Sequence, residues 1–395
     1  MPGAPARVVG TLGTTQTLAW ASSYYLPAML ADPMARDLGV SAPTVYAAIS
    51  IAMVASALAG PWAGQAIDHR GGRIVLVGTS LLFALGLGML GAAQDLWMMV
   101  TAWLVIGVAM GSGLYEAAFS SLVRLYGHHA RGAITGITLI AGFASTVGWP
   151  LSAWMETVFG WRGACFGWAV MHLLIGLPLN AGLPKVPAVT KMESLNAANA
   201  EHGGASPAPE SEHRQYAIAL LAFVFAATWF ISTAMATHLP RILEATGTTL
   251  STAVAVGALI GPAQVAGRLF EFGLLRQVHP LLSARLAAVA HPAGVAVLLT
   301  VGPAMAPVFA ILHGAGNGIL TIAKGTLPLA LFGPMGYGAR QGWLMMPARV
   351  AQALAPFAFG VALDAWGANA LWLSGGIGLA ACVALLLLHA RPVAH

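Results

Sequence analysis

Apolar residues recur along the chain in runs of about twenty, separated by short polar turns. Runs of that length suit helices that cross a hydrocarbon core of about 30 Å. The pattern predicts helices near 10–31, 42–66, 73–93, 96–124, 132–158, 162–183, 215–239, 250–272, 281–301, 304–331, 342–364 and 368–390. One segment breaks the rhythm. From Lys185 to Arg214 the chain is rich in Ala, Asn, Ser, Pro, Glu and His and has no apolar period, as expected of a flexible polar linker. Residues 185–214 therefore divide two six-helix units, 1–184 and 215–395.

Composition agrees with an all-α integral membrane protein. The 395 residues are 58% hydrophobic and 8% charged, against about 25% charged residues in soluble domains. A soluble protein of this size would lack the polar residues to cover itself. The formal net charge of +5 raises the question of nucleic acid. The cations, however, sit in short loops between apolar runs, which is a topology signal and no nucleic-acid footprint. Cys165 and Cys382 both lie in apolar runs, so neither a disulfide framework nor a metal site is expected, and no cofactor is implied. The start, MPGAPARVVG, carries no cleavage pattern, so the first run reads as a retained helix.

Loop charge predicts orientation. With the N-terminus in the cytoplasm, the inside loops hold Arg70, Arg73, Arg124, Arg131, Lys185, Lys191, Arg214, Arg276, Arg285 and Arg340, with Arg7 and Arg391 at the ends. The outside loops then hold Arg36, Arg162 and Arg241. Positive charge favours the cytoplasmic side, which places both termini there. The halves also echo each other. Gly107, Gly111 and Gly113 lead to Leu125-Tyr126-Gly127 and Arg131-Gly132, while Gly314, Gly316 and Gly318 lead to Leu331-Phe332-Gly333 and Arg340-Gln341-Gly342. A duplicated six-helix unit predicts a solute site at the interface of the repeats, near mid-membrane.

The loop between the second and third helices reads Gly64-Gln-Ala-Ile-Asp68-His-Arg70-Gly71-Gly72-Arg73. A carboxylate near a helix end, a tight turn and basic residues make a compact charge relay, a candidate latch formed by Gly64, Asp68, Arg70 and Arg73. The bland alternative is an ordinary basic turn. The loop resembles the signature of the major facilitator superfamily, Gly-x-x-x-Asp-(Arg/Lys)-x-Gly-(Arg/Lys)-(Arg/Lys). Gly64, Asp68, Gly71 and Arg73 match, and His69 and Gly72 depart. The six-plus-six layout with a central linker is similar too. The resemblance implies two pseudo-symmetric six-helix bundles, twelve transmembrane helices in all, that alternate access across a cell inner membrane as a monomer.

Within that family the Gly142 to Leu151 stretch lacks the Gly-Pro-x-x-Gly-Gly element of drug/proton antiporters, and sugar-porter signatures are not apparent. The stretch from Arg131 through Gly136, Gly142, Gly148, Pro150-Leu151 and Phe159-Gly160-Trp161-Arg162 is similar to monocarboxylate and oxalate/formate-type carriers. That similarity implies that Arg268 in helix eight meets a substrate carboxylate. Gln264 stands where those carriers often have an acid.

Charges at membrane depth are costly and face a cavity or a partner. Glu116 lies eleven residues before Gly127, roughly 16 Å deep at 1.5 Å per residue. Lys324, Arg268, Glu271 and Arg349 also sit well inside helix ends. Three cations against two carboxylates leave one positive charge, which an anion would neutralise. The bland alternative pairs Arg268 with Glu271 at i+3 and Glu116 with Lys324. Trp20 and Tyr24, Asn317 and Gln264 join Arg268, Lys324 and Arg349 as candidate substrate contacts, with Tyr24 and Tyr25 read first as an interfacial belt. Glu116 and Glu271 are the candidate proton-coupling groups.

The expectation is therefore a non-enzymatic symporter of a small organic anion with protons. An exporter of a small organic compound is the alternative. A membrane-embedded enzyme using Glu116, His172 or His313 is a third reading, against which stands the absence of any catalytic spacing. A channel would not need two duplicated halves, and no Gly-x-x-x-x-Gly-Lys-Ser/Thr loop is present for ATP-driven transport.

Overall fold

The computed structural model describes residues 6–185 and 207–389, and every regular element among them is helical. The first half comprises α1 (Ala6–Ala21), α2 (Pro27–Asp37), α3 (Ala42–Arg70), α4 (Gly72–Ala92), α5 (Leu96–Gly113), α6 (Tyr115–Tyr126), α7 (Arg131–Ala141), α8 (Ala144–Met171) and α9 (Leu177–Ala181). The second comprises α10 (Pro207–Ala245), α11 (Leu250–Gly257), α12 (Ile260–Gly273), α13 (Pro280–Val301), α14 (Ala306–Phe332), α15 (Tyr337–Trp366) and α16 (Ala370–Leu387). Most of the segment read as a linker, 186–206, lies outside the described residues, and α10 begins at Pro207, inside that segment.

Local chemistry sets the helix starts. Ser41 Oγ accepts from the Thr44 amide at the head of α3, and Asp95 Oδ1 accepts from the Met98 amide at the head of α5. Among the described residues eight runs are long and apolar enough to cross a membrane, and three of them, Leu96–Ala181, Ser251–Gly273 and Tyr337–Leu387, hold more than one α-helix. Large apolar side chains such as Trp62, Trp97, Leu174 and Phe357 point outward and stay exposed. An apolar exterior around satisfied helical backbone is what a bilayer requires.

Several predicted helices are broken. The run near 10–31 divides into α1 and α2, with Ser22 to Leu26 in turns and Pro27 starting the second piece. The run near 96–124 breaks at Leu114, whose extended backbone separates α5 from α6. The runs near 132–158 and 250–272 also break, after Ala141 and Gly257. Inside α8 the chain turns sharply at Gly160, where φ is +70°, and between α8 and α9 the residues His172–Gly176 form a π-helical turn.

The glycine repeat has a packing reason. Gly107 and Gly111 of α5 lie against the backbone of α3 at Ala52 and Ser56. In the second half, Gly314 and Gly318 of α14 lie against the backbone at Ile260 and Gln264. In each half the fourth apolar run approaches the second through glycines, because a side chain there would strike main chain.

Candidate functional site

The two halves are joined by polar contacts from one end of the molecule to its middle. At that end Asp68, the last carboxylate of α3, accepts from the Gly338 amide through Oδ1 (2.9 Å) and from the Ala339 amide through Oδ2 (2.8 Å). These amides begin α15, whose own first residues supply no side-chain cap. A carboxylate from the first half thus caps a helix of the second and meets its positive dipole end. Gly64 and Gly338 allow the approach, since a side chain at either would strike the opposing backbone. The basic residues of the same loop play no part in this contact. Arg70 is exposed, and Arg73 donates to the Leu183 carbonyl within its own half at 3.4 Å.

A second bridge lies beside it. Arg131, at the head of α7, donates to Glu271 Oε1 at 2.9 Å and to the carbonyls of Leu275 (3.1 Å) and Val278 (2.7 Å). It therefore holds the C-terminal end of α12, where free carbonyls attract a cation. At the opposite end the ion pairs stay within one half: Arg162 with Asp37, and Arg241 with Asp364. This asymmetry describes a molecule closed at the Asp68 end. Asp68→Asn should loosen that closure by removing the charge from two charge-assisted bonds, a loss of about 1.5–3 kcal/mol. The expected result is slowed exchange of solute with its binding constant nearly unchanged, measured by counterflow in proteoliposomes and by equilibrium binding. Collapse of affinity at a preserved rate would refute the latch.

Midway along the interface the buried charges gather. Glu116, in the first turn of α6 just after the Leu114 break, accepts from Arg349 Nη2 through both oxygens at 3.1 and 2.9 Å. Arg349 Nη1 donates to Gln352 Oε1 at 3.0 Å. Arg268 crosses from α12 to the Thr138 carbonyl at 3.2 Å, lying in the break after α7 where Gly142 leaves it room. Lys324 places Nζ 4.0 Å from the centre of the Trp229 ring and has no hydrogen bond or ion pair among the described residues. Its side chain is only 5% exposed. Trp229 stacks nearly parallel on Trp20 from the other half, at 6.1 Å. Arg349 approaches both rings, at 5.3 and 5.9 Å.

These pairings differ from those suggested by spacing alone. Glu271 binds Arg131 and not Arg268, and Glu116 binds Arg349 and not Lys324. Four cations (Arg131, Arg268, Lys324, Arg349) now face two carboxylates (Glu116, Glu271), leaving two positive charges. Unpartnered atoms point the same way. The indole N–H groups of Trp20 and Trp229, Arg268 Nε and Gln352 Nε2 are buried donors without an acceptor among the described residues. These four donors outnumber the buried acceptors left without a partner nearby, Glu271 Oε2 and Gln341 Oε1.

The remaining candidates fall in different places. Tyr24 packs edge-on against Trp20 and Trp229, and Tyr25 against Trp20 and Trp149, so both rings belong to an interior aromatic cluster and not to an isolated belt. Asn317 donates to Ser232 Oγ at 3.1 Å and lines a cavity inside the second half. His313 shares a hydrogen bond with His291 at 3.0 Å in that same cavity. Gln264 is half-buried, with its backbone against Gly318. Sequence reading missed Arg131 as a bridge. The signal was there, because Arg131-Gly132 and Arg340-Gln341-Gly342 occupy matching places in the repeat.

Comparison with known proteins gives one family. The family model for the Major Facilitator Superfamily matches residues 12–308. The purine ribonucleoside efflux pump NepI of Salmonella typhimurium is 23% identical over 175 residues, 44% of this chain and 43% of the relative. The match thus spans less than half the length of these curated relatives. Among solved structures, a proton:xylose symporter, XylE, aligns with a TM-score of 0.73 at 13% identity, over 96% of this chain and 95% of that one. The Escherichia coli fucose:proton symporter FucP aligns at 0.71 with 14% identity, over 96% and 97%. The human organic anion transporter MFSD10 aligns at 0.67 with 15% identity, over 96% and 99%. At these identities the likeness concerns the fold.

Proposed function

The chain belongs to the Major Facilitator Superfamily, and from that premise we propose that it carries a small organic anion, most simply a monocarboxylate, by alternating access between its two halves. We further propose twelve spans with both termini in the cytoplasm of a cell inner membrane, a monomeric carrier, and symport with protons through Glu116. The observation that carries the anion reading is Lys324, a buried ammonium resting on Trp229 with no acceptor among the described residues. A buried charge is tolerated when it is paired, and a carboxylate would supply the missing partner. Arg268, bonded to a single backbone carbonyl, has donor capacity left to hold such a ligand in bidentate fashion.

The test is a melting-temperature screen of purified protein against short carboxylates, amines and sugars, since ligands of the folded state raise it. A carboxylate should give the largest shift. Arg268→Lys should then weaken it by about tenfold, because an ammonium cannot reproduce the planar fork, and Arg268→Ala by more. Stabilisation by amines or sugars alone would overturn the reading. An exporter of a small organic compound is the second reading, favoured by the efflux pumps among the curated relatives. Direction of net flux in inverted vesicles separates the two.

A further inference from the structure

A cavity that shares no lining residue with the central cluster lies inside the first half, lined by Thr15, Gln16, Thr79, Ser80, His172 and Asn180 among others. Its polar atoms share one property, which follows from where their hydrogens go. Gln16 Nε2 donates to the Gly113 carbonyl at 2.7 Å, and Asn180 Nδ2 donates to the Leu76 carbonyl at 3.3 Å and to Ser80 Oγ at 3.0 Å. Backbone carbonyls only accept, so both amides are fixed in orientation. Their oxygens, Gln16 Oε1 and Asn180 Oδ1, are buried and have no partner among the described residues. Gln16 is 1% exposed and Asn180 5%.

The hydroxyls add lone pairs and no hydrogens. Thr15 donates to the Leu12 carbonyl, Thr79 to the carbonyls of Val75 and Ser112, and Ser80 to the Leu76 carbonyl. His172 follows the same rule. Ser22 Oγ lies 2.8 Å from both the Leu18 carbonyl and His172 Nε2. With its hydrogen on the carbonyl, as for the other hydroxyls, it accepts from Nε2–H, the tautomer that leaves His172 Nδ1 bare. No Asp, Glu, Lys or Arg lines the cavity. Acceptors from three helices face the cavity, against one N–H of Gln16 beyond its bond to Gly113, and two irregularities of the fold meet there: the π-helical turn His172–Gly176 and the α5–α6 break after Gly113. Single π turns gather at functional sites.

We propose that this cavity is a binding site for a sodium-sized monovalent cation. Hard cations take oxygen ligands, and Gln16 Oε1, Asn180 Oδ1 and the hydroxyl oxygens of Thr15, Thr79 and Ser80 provide a neutral set. A divalent ion would lack a carboxylate to offset its second charge. A single water, with two hydrogens for Gln16 Oε1 and Asn180 Oδ1, is the rival occupant that the experiment has to separate from the ion. The ion would also act beyond its site. Polarising Gln16 through Oε1 strengthens its bond to the Gly113 carbonyl, beside the break that presents Glu116 to Arg349. The site is independent of the anion reading and requires no part of it.

The experiment is radiolabelled sodium binding to the purified full chain, with melting temperature followed in sodium, potassium and choline chlorides at constant ionic strength. Saturable sodium binding is expected, with a stabilisation that potassium and choline do not give. Thr15→Val, which keeps shape and removes one oxygen, should weaken it about tenfold, and Asn180→Leu should abolish it. Absence of saturable binding to the unmodified protein would overturn the proposal and leave a bridging water. Equal stabilisation by all three salts would do the same. So would a response to pH alone, which would indicate a proton on His172.

Discussion

Lys324→Met is expected to weaken carboxylate binding by about 100-fold while raising the melting temperature of the same protein. The two effects have opposite signs because Lys324 has a role that packing does not explain. Its ammonium sits 4.0 Å from the Trp229 ring centre with no carboxylate or carbonyl bonded to it. A cation over an indole recovers about 2 kcal/mol or more when desolvated, which is small beside the cost of burying an unpaired charge. Met keeps the length and the contact with the ring. Replacing buried ionic groups by apolar ones of similar volume is often stabilising by about 1–4 kcal/mol. Losing one partner of a buried charge pair costs a ligand about 2–5 kcal/mol, so the dissociation constant should rise by about 100-fold. Paired melting and binding measurements on one preparation decide it. A lower melting temperature with binding retained would make Lys324 a structural residue.

Depth was legible in the sequence, and direction was not. Glu116, Arg268, Lys324 and Arg349 all fall inside the apolar runs, so their enclosure could be anticipated. Which of them meet depends on helix rotation and on breaks that the runs do not announce. Spacing of three residues suggested Arg268 with Glu271. In the fold Glu271 turns to Arg131 across the interface, and Arg268 reaches the carbonyl of Thr138. Glu116 meets Arg349 because α6 restarts at Tyr115 after the extended Leu114, which no proline marks. Ser22 to Leu26 leave the helix for a related reason. Their hydroxyls and rings find partners in other helices, His172 and Trp229 among them, and those partners are remote in sequence. The Asp68 loop was the opposite case, since a contiguous motif carries its own geometry. Even so, the residues it joins at α15 lie 270 positions away.

The unpartnered atoms of the molecule fall into two chemistries that composition blurs. At the centre between the halves unpartnered donors predominate: the indoles of Trp20 and Trp229, Arg268 Nε and Gln352 Nε2, with the Lys324 ammonium beside them, against Glu271 Oε2 and Gln341 Oε1. In the cavity within the first half unpartnered acceptors predominate, Gln16 Oε1 and Asn180 Oδ1. Buried polar groups are satisfied in folded proteins, so each region asks for a ligand of the opposite kind. Gln16 links them, because the amide whose oxygen faces the cavity also holds the Gly113 carbonyl, three residues before Glu116.

Glu116→Gln is the substitution expected to separate coupling from transport. Glu116 and Arg349 belong to different halves, so their bond closes the interface at its midpoint and must open whenever the halves part there. In the proposed coupling, a proton on Glu116 would remove the charge that holds Arg349, and the freed guanidinium would join Lys324 and Arg268 in facing the anion. Proton and anion would load together, which limits the net charge carried through the apolar interior. Glutamine imitates the protonated side chain. Accumulation driven by a pH gradient should be lost, while exchange of internal for external solute continues. The rival reading makes Glu116 a static partner. Arg349 is 3% exposed, and stranding it without a counter-charge would cost about 3–5 kcal/mol. The melting temperature of Glu116→Gln, measured with and without a bound carboxylate, distinguishes these. If coupling is right, the carboxylate restores most of the lost stability, because it occupies the place that Glu116 gives up. If the residue is structural, the deficit persists at saturating ligand and exchange fails with it. A folded Glu116→Gln protein that still concentrates solute with unaltered pH dependence would remove Glu116 from the coupling mechanism.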